Sequence, residues 1–169
     1  RKLFIYWHQG FEDAPLIVKK CLLSWKTKNP TWEIIELDFT NLHKYININY
    51  NSNTALKFPL VAYSNLIRVF LLEKYGGVWA DATTFCNISL DEWLNKNIKS
   101  GFFCFYGSTI QCELSSWFLY AEKNNYIIKI LKQKSIDYWK THDKSHTFHW
   151  FQSIFDDMLK QDKKFKNIW

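Results

Sequence analysis

Apolar and polar positions alternate in blocks along this chain, and the block lengths separate strands from helices. Leu3–Trp7 is a short apolar run rich in β-formers and predicts a first strand, ending at His8-Gln9-Gly10. Pro15 sits near the start of Ala14–Lys28, where Leu16, Ile17, Leu22, Leu23 and Trp25 predict a helix that Asn29-Pro30 breaks. Trp32–Asp38 predicts a second strand. Strand, helix and strand at this spacing make a βαβ unit, hence a parallel sheet with a right-handed crossover. Asn41–Asn53 shows no clear period and predicts a loop or short irregular helix.

Further along, Pro59 opens a helix over Leu60–Tyr75, and Gly76-Gly77 supplies its stop. Val78–Ala80 follows as a short strand. Ser89-Leu90-Asp91-Glu92 fits a capping box, which assigns Asp91 and Glu92 to a helix start rather than to chemistry. Phe102–Tyr106 and Trp117–Tyr120 predict further strands, and Asn125–Trp139 and Phe151–Lys160 predict helices. No repeat, linker or low-complexity tract divides the chain. Residues 1–169 are expected to form one domain, with the question of a further C-terminal part left open.

Composition narrows the class. A hydrophobic fraction of 47% with 19% aromatic residues implies a folded core and argues against disorder. The longest apolar run, around Leu66–Leu72, is broken by Arg68 and falls short of a membrane span. The net charge of +6 serves solubility, or attraction to an anionic partner such as a nucleotide diphosphate or the inner face of a membrane. No nucleic-acid reader motif is present, so nucleic acid is not expected as a partner. Cys21, Cys86, Cys104 and Cys112 form no CxxC pair and are expected to be free, buried thiols of a reducing compartment. The chain opens on Arg1 rather than Met, so it is expected to be an excised piece.

Among residues 41–87 the only acids are Glu73 and Asp81. Glu73 falls in a last helical turn, where solvent is the expected neighbour. Asp81, within Val78-Trp79-Ala80-Asp81-Ala82, is costly to bury without a cation or hydrogen bonds, and is the first candidate for chemistry. On the preceding helix Ser64, Asn65 and Arg68 share a face. Arg68 is always charged and needs acceptors. It either pairs structurally with Asp81 or, with Asn65, holds an anionic or hydroxyl-rich ligand at the carboxyl edge of the sheet. Asp81 at that edge suits Mg²⁺ or Mn²⁺, and Thr83 would point the same way on an extended backbone. His142, His146 and His149 would share a helical face and suggest zinc, but the polar stretch around them reads better as a loop.

Ser64-Asn65-Leu66-Ile67-Arg68, a spacer and Gly76-Gly77-Val78-Trp79-Ala80-Asp81-Ala82-Thr83 resemble the Ser-Asp-x-x-Arg…Gly-Gly-x-x-x-Asp-x-Asp signature of GT-A glycosyltransferases with a DXD motif. Tyr6–Pro15, Ser115–Phe118 and His149–Phe151 resemble the capsular polysaccharide synthesis branch of that family. The resemblance implies an α/β fold of GT-A, Rossmann-like type, with a mostly parallel central sheet flanked by helices. It implies a hexosyltransferase-type enzyme, retaining at the anomeric carbon, moving a sugar from a UDP-linked donor to a growing bacterial glycan. It places Tyr6, Trp7, Asn65, Arg68, Gly77 and Asp81 around the donor, with Asp81 and Arg68 as the catalytic pair. A divalent metal, Mn²⁺ or Mg²⁺, would sit on Asp81 and Thr83, with His149 as a further ligand. A cytoplasmic location, with a peripheral contact to the inner membrane face, is the matching expectation. Thr83 and Asn65 depart from the family's acids, which weakens the expected metal site and sugar grip. The alternative is a non-catalytic nucleotide-sugar or glycan-binding module derived from such an enzyme. A metal-dependent phosphohydrolase would need clustered acids that the chain lacks.

Overall fold

The computed structural model describes residues 1–48, 59–107, 113–142, 144 and 147–169. The elements run β1 (Lys2–Tyr6), α1 (Leu16–Lys28), β2 (Glu33–Leu37), a 3-10 turn (Leu42–Lys44), α2 (Leu60–Tyr75), β3 (Gly77–Ala80), α3 (Leu90–Asn97), β4 (Phe102–Tyr106), β5 (Leu114–Ala121), α4 (Tyr126–Thr141), α5 (Trp150–Gln161) and α6 (Lys163–Ile168). The strands form one sheet in the order β2-β1-β3-β5-β4. β1 pairs in parallel with both β2 and β3, whereas β5 runs antiparallel to β3 and β4. Four strands therefore share one direction and β5 alone is reversed. The α/β class expected from the βαβ spacing holds.

Alternation along the strands divides the core into two layers. Phe4, Trp79, Leu119 and Ala121 face α2, α4, α5 and α6, while Leu3, Ile5, Val78 and Phe118 face α1 and α3. Both faces are covered, as a sheet with parallel neighbours requires.

Local chemistry sets the element ends. The Ser89 hydroxyl accepts from the Asp91 amide, so the capping serine does its predicted work at α3. Asp91 is then occupied structurally, bonding Thr31 and Trp32 and pairing with Arg1 at 2.7 Å. Gly76 and Gly77 take φ of +69° and +104°, and a Cβ on Gly77 would lie on the Lys2 carbonyl oxygen. Only glycine lets β3 leave α2 and close against β1.

One expectation needs correction, and one element was not foreseen. Glu73 is not left to solvent: it pairs with Lys132 of α4 at 3.1 Å, both side chains about one-quarter exposed at 24% and 26%. α6 escaped prediction because half of its six residues are lysine, yet Asp162 caps it by accepting from the Phe165 amide, and Phe165 is fully buried. The loop expected around the histidines holds at its start, where α4 ends at Thr141 and His142 is extended and stacked on Tyr138. His146 lies outside the described residues. Cys21, Cys86 and Cys104 are free and buried as expected, and Cys112 also lies outside.

Replacing Gly77 by Ala is expected to destabilise the fold by about 3 kcal/mol, combining a positive-φ penalty with a clash at the β1–β3 seam. Chemical denaturation followed by tryptophan fluorescence measures the loss.

Candidate active site

The site is built where β3 ends. Trp79 and Asp81 lie two apart, so Asp81 continues the face of the strand that looks toward α2. The Trp79 indole N–H donates to Asp81 Oδ1 at 2.7 Å, and the Asp81 amide donates to the Trp117 carbonyl of β5 at 2.8 Å. The chain then turns, with the Thr84 amide donating to the Asp81 carbonyl at 2.9 Å. Beyond the turn, α1 holds the segment fast. Trp25 Nε1 donates to the Thr84 carbonyl, the Cys86 amide to Ser24 Oγ, and the Leu90 amide to Oδ1 of the buried Asn29. Asp81 is thus fixed from both sides.

Arg68 stands behind it. The guanidinium is buried, its side chain 3% exposed, against 37% for Asp81. Nη2 donates to Asp81 Oδ1 and to Ser64 Oγ, each at 3.2 Å, Nε donates to the Ser64 carbonyl, and Nη1 donates to the Ser116 carbonyl. Its charge also lies 5.1 Å from the Trp79 ring and 6.0 Å from that of Phe151, at cation–π range. Burial pulls the Arg68 pKa below its ordinary value, and the Asp81 charge opposes that shift. The pair expected from the sequence exists. It is a charge sunk under the site and joined to solvent through one carboxylate.

Asp81 opens on a cleft of about 320 Å³ at the carboxyl ends of β1 and β3. β1 and its turn supply Tyr6, Trp7, His8 and Gln9, while Leu60, Val61 and Ser64 come from the first turns of α2. Trp79, Ala82 and Thr83 complete the wall. The Tyr6 hydroxyl bonds His8 Nδ1 at 2.7 Å, and burial, then Tyr63 and Asp38, raise its pKa. Tyr6 therefore stays neutral and serves as a wall.

Of the residues singled out in the sequence, Tyr6, Trp7, Ser64, Asp81 and Thr83 converge here. Thr83 does so for a different reason than expected: the backbone turns at Ala82–Thr83 instead of staying extended. Asn65 and Arg68 are buried outside the cleft wall, at 4% and 2% exposure. Gly77 lies at the far end of β3, where its role is the close approach to Lys2. His149 is exposed at the N-cap of α5 and does not line the cleft. Sequence reasoning missed Trp79, His8 and Gln9 as site residues. Strand alternation places Trp79 beside Asp81, and the carboxyl-edge rule reaches the turn after β1.

A divalent metal can be tested against this chemistry. Both bonds to Asp81 fall on Oδ1, so Oδ2 remains open among the described residues, and Thr83 adds a neutral oxygen on the same cleft. Among the described residues no group of three or more His, Cys, Asp or Glu side chains gathers into a metal cage. The donor set fits a cation shared with a phosphorylated ligand, the mode in which Mg²⁺ keeps few protein ligands.

The fold is that of a glycosyltransferase-like protein. The backbone is similar to the PaToxG glycosyltransferase, with a TM-score of 0.68 over 98% of this chain and 71% of that one at 13% identity, a likeness of fold. A stretch of 98 residues is 30% identical to the O-glycosyltransferase braB of Annulohypoxylon truncatum, covering 50% of this chain but 23% of that protein. The whole of residues 1–169 matches the capsular polysaccharide synthesis protein family, and the chain belongs to it. No helix among the described residues is long and apolar enough to cross a membrane.

The ion pair predicts an asymmetry between two substitutions. Asp81→Ala leaves a buried guanidinium short of one acceptor and is expected to cost about 2 kcal/mol, the worth of a hydrogen bond to a charged group. Asp81→Asn, with its amide oxygen toward Trp79 and Arg68, is expected to cost less than half of that. Paired denaturation curves decide the matter, and equal losses would contradict the account.

Proposed function

We propose that this chain is the donor-binding core of a GT-A type glycosyltransferase. In this reading it moves a sugar from a nucleotide-sugar, UDP-linked, to a hydroxyl of a growing surface glycan such as capsular polysaccharide. The observation that carries the reading is Asp81: an open carboxylate edge, backed by a buried arginine, in an aromatic-walled cleft at the carboxyl ends of parallel strands.

Trp7 offers a ring against which a uracil can stack. Asp81 and Thr83 would hold a divalent metal together with the donor diphosphate, and the metal would supply positive charge against the phosphates. Arg68 acts through Asp81. It fixes the carboxylate's orientation and leaves one oxygen outward, a preorganised electrostatic arrangement that needs no rearrangement during reaction. In the transfer, the bond from the anomeric carbon to the diphosphate oxygen breaks and a bond to the acceptor oxygen forms. The acceptor's proton leaves with the departing phosphate. Retention at the anomeric carbon is proposed on the family resemblance.

One observation favours a second reading. The oxygen donors on the cleft carry one charge between them, because Thr83 stands where the signature has its second acid. A module that binds nucleotide-sugar without turning it over would look the same. The two part on Thr83→Asp: activity appearing only in that variant supports the binding module, and activity in the unaltered chain excludes it.

UDP-sugar hydrolysis and transfer are expected to fall at least about 100-fold in Asp81→Asn, the scale of losing one preorganised charge. Trp7→Ala is expected to weaken UDP binding about fivefold, near 1 kcal/mol of ring stacking. Calorimetric titration with UDP and radiolabelled-sugar release measure the two effects. Full turnover in Asp81→Asn would remove Asp81 from the chemistry.

A further inference from the structure

α1 is apolar on two opposite sides. Val18, Cys21, Leu22 and Trp25 face the sheet and are buried. Leu16, Leu23 and the adjoining Ile17 face outward, exposed by 71%, 55% and 59%. Leu16, Lys20, Leu23 and Thr27, spaced four, three and four apart, form a single outward stripe. A helix needs one apolar face to pack on its own sheet, so the outer leucines are unexplained by folding.

Two further features join that stripe. Phe85, 55% exposed on the segment that follows Asp81, shares a shallow depression with Lys20, Leu23 and Lys28. On its other side Phe85 borders a groove of about 290 Å³ between Ile88, Phe105 and Trp117. The apolar surface is therefore contiguous, unlike the scattered exposed side chains normal for a soluble protein. The charge on it has one sign. α1 carries four lysines and no acid. Lys26 is engaged with Glu36 at 2.5 Å, whereas Lys19, Lys20 and Lys28 form no ion pair among the described residues. Glu12 and Asp13 lie ahead of the helix start.

We propose that the outward face of α1, together with Phe85, is a docking surface for an anionic phospholipid membrane. Exposed aliphatic and aromatic side chains interleaved with unpaired lysines are what an interfacial surface needs. The apolar groups enter the headgroup boundary and the ammonium groups meet lipid phosphates. Neither contribution alone gives stable attachment, and the two together do. A protein partner or a second copy would be met as well by apolar residues alone. The three free lysines favour a polyanionic surface. Docking would also set the turn after Asp81 close to the bilayer. The proposal stands independently of glycosyl transfer.

Flotation with phosphatidylcholine vesicles and with mixed phosphatidylcholine–phosphatidylglycerol vesicles tests it. The chain is expected to float with the anionic vesicles only and to release as salt is raised. Lys19→Gln with Lys20→Gln should reduce partitioning about 30-fold, from roughly 1 kcal/mol for each lysine near the surface. Leu23→Ser with Phe85→Ser should reduce it further at unchanged charge. All four positions are exposed, so circular dichroism should show the native fold in each variant. Asp81→Asn should float as the unaltered chain does, which separates this proposal from the reading of the cleft. Failure to float, equal binding to both vesicle types, or indifference to the lysine variant would overturn it. So would a dimer in free solution that Leu23→Ser dissociates, since a second copy would then be the occupant.

Discussion

The constraint on which the rest of this structure depends is the burial of one positive charge. A guanidinium removed from water is tolerable only when its donors find acceptors, and Arg68 finds them on three elements at once. Ser64 lies one turn back on α2, Ser116 on β5 and Asp81 at the end of β3. The two rings beside it, Trp79 and Phe151, bring in β3 again and α5. Satisfying Arg68 therefore requires α2, α5 and two strands to meet at one point. That point lies directly beneath the cleft. The same interaction that excuses a charge in the core orients Asp81, the one carboxylate on the cleft wall among the described residues.

The sequence made the scaffold legible where local signals were strong. Proline before α2 and paired glycines after it marked both ends of that helix, and the capping serine marked the start of α3. β5 was harder to see. It begins at Leu114, three residues before the apolar run at Trp117, because Ser115 and Ser116 are weak strand formers. Those polar positions are where the strand turns its carbonyl to Arg68. A departure from strand chemistry at that point marks the neighbourhood of the site.

The site itself was half legible. An acid in an apolar context and an arginine on a buried helix identified the pair, since both are expensive without each other. Spacing could not show which partner faces the ligand. Arg68 turned out to be the hidden one because α2 is covered on nearly every side, a fact of tertiary packing. The wall contributed by His8, Gln9, Leu60 and Val61 depends on how β1 and α2 are brought together, which no local pattern encodes. The family match gives the family and the backbone likeness gives the fold; the pair itself is read from the geometry alone.

β5 holds both members of the ion pair in place. Successive carbonyls of this strand divide the work: that of Ser116 receives Arg68, and that of Trp117 receives the Asp81 amide. Neighbouring carbonyls point in opposite directions along the ladder, so a slip of one residue would orphan the guanidinium and unhook the acid in the same event. Misaligned pairings are thus penalised twice, by a stranded charge and by a lost ladder bond. A misregistered sheet could not keep half of this arrangement, and correct alignment and the intact ion pair arrive together.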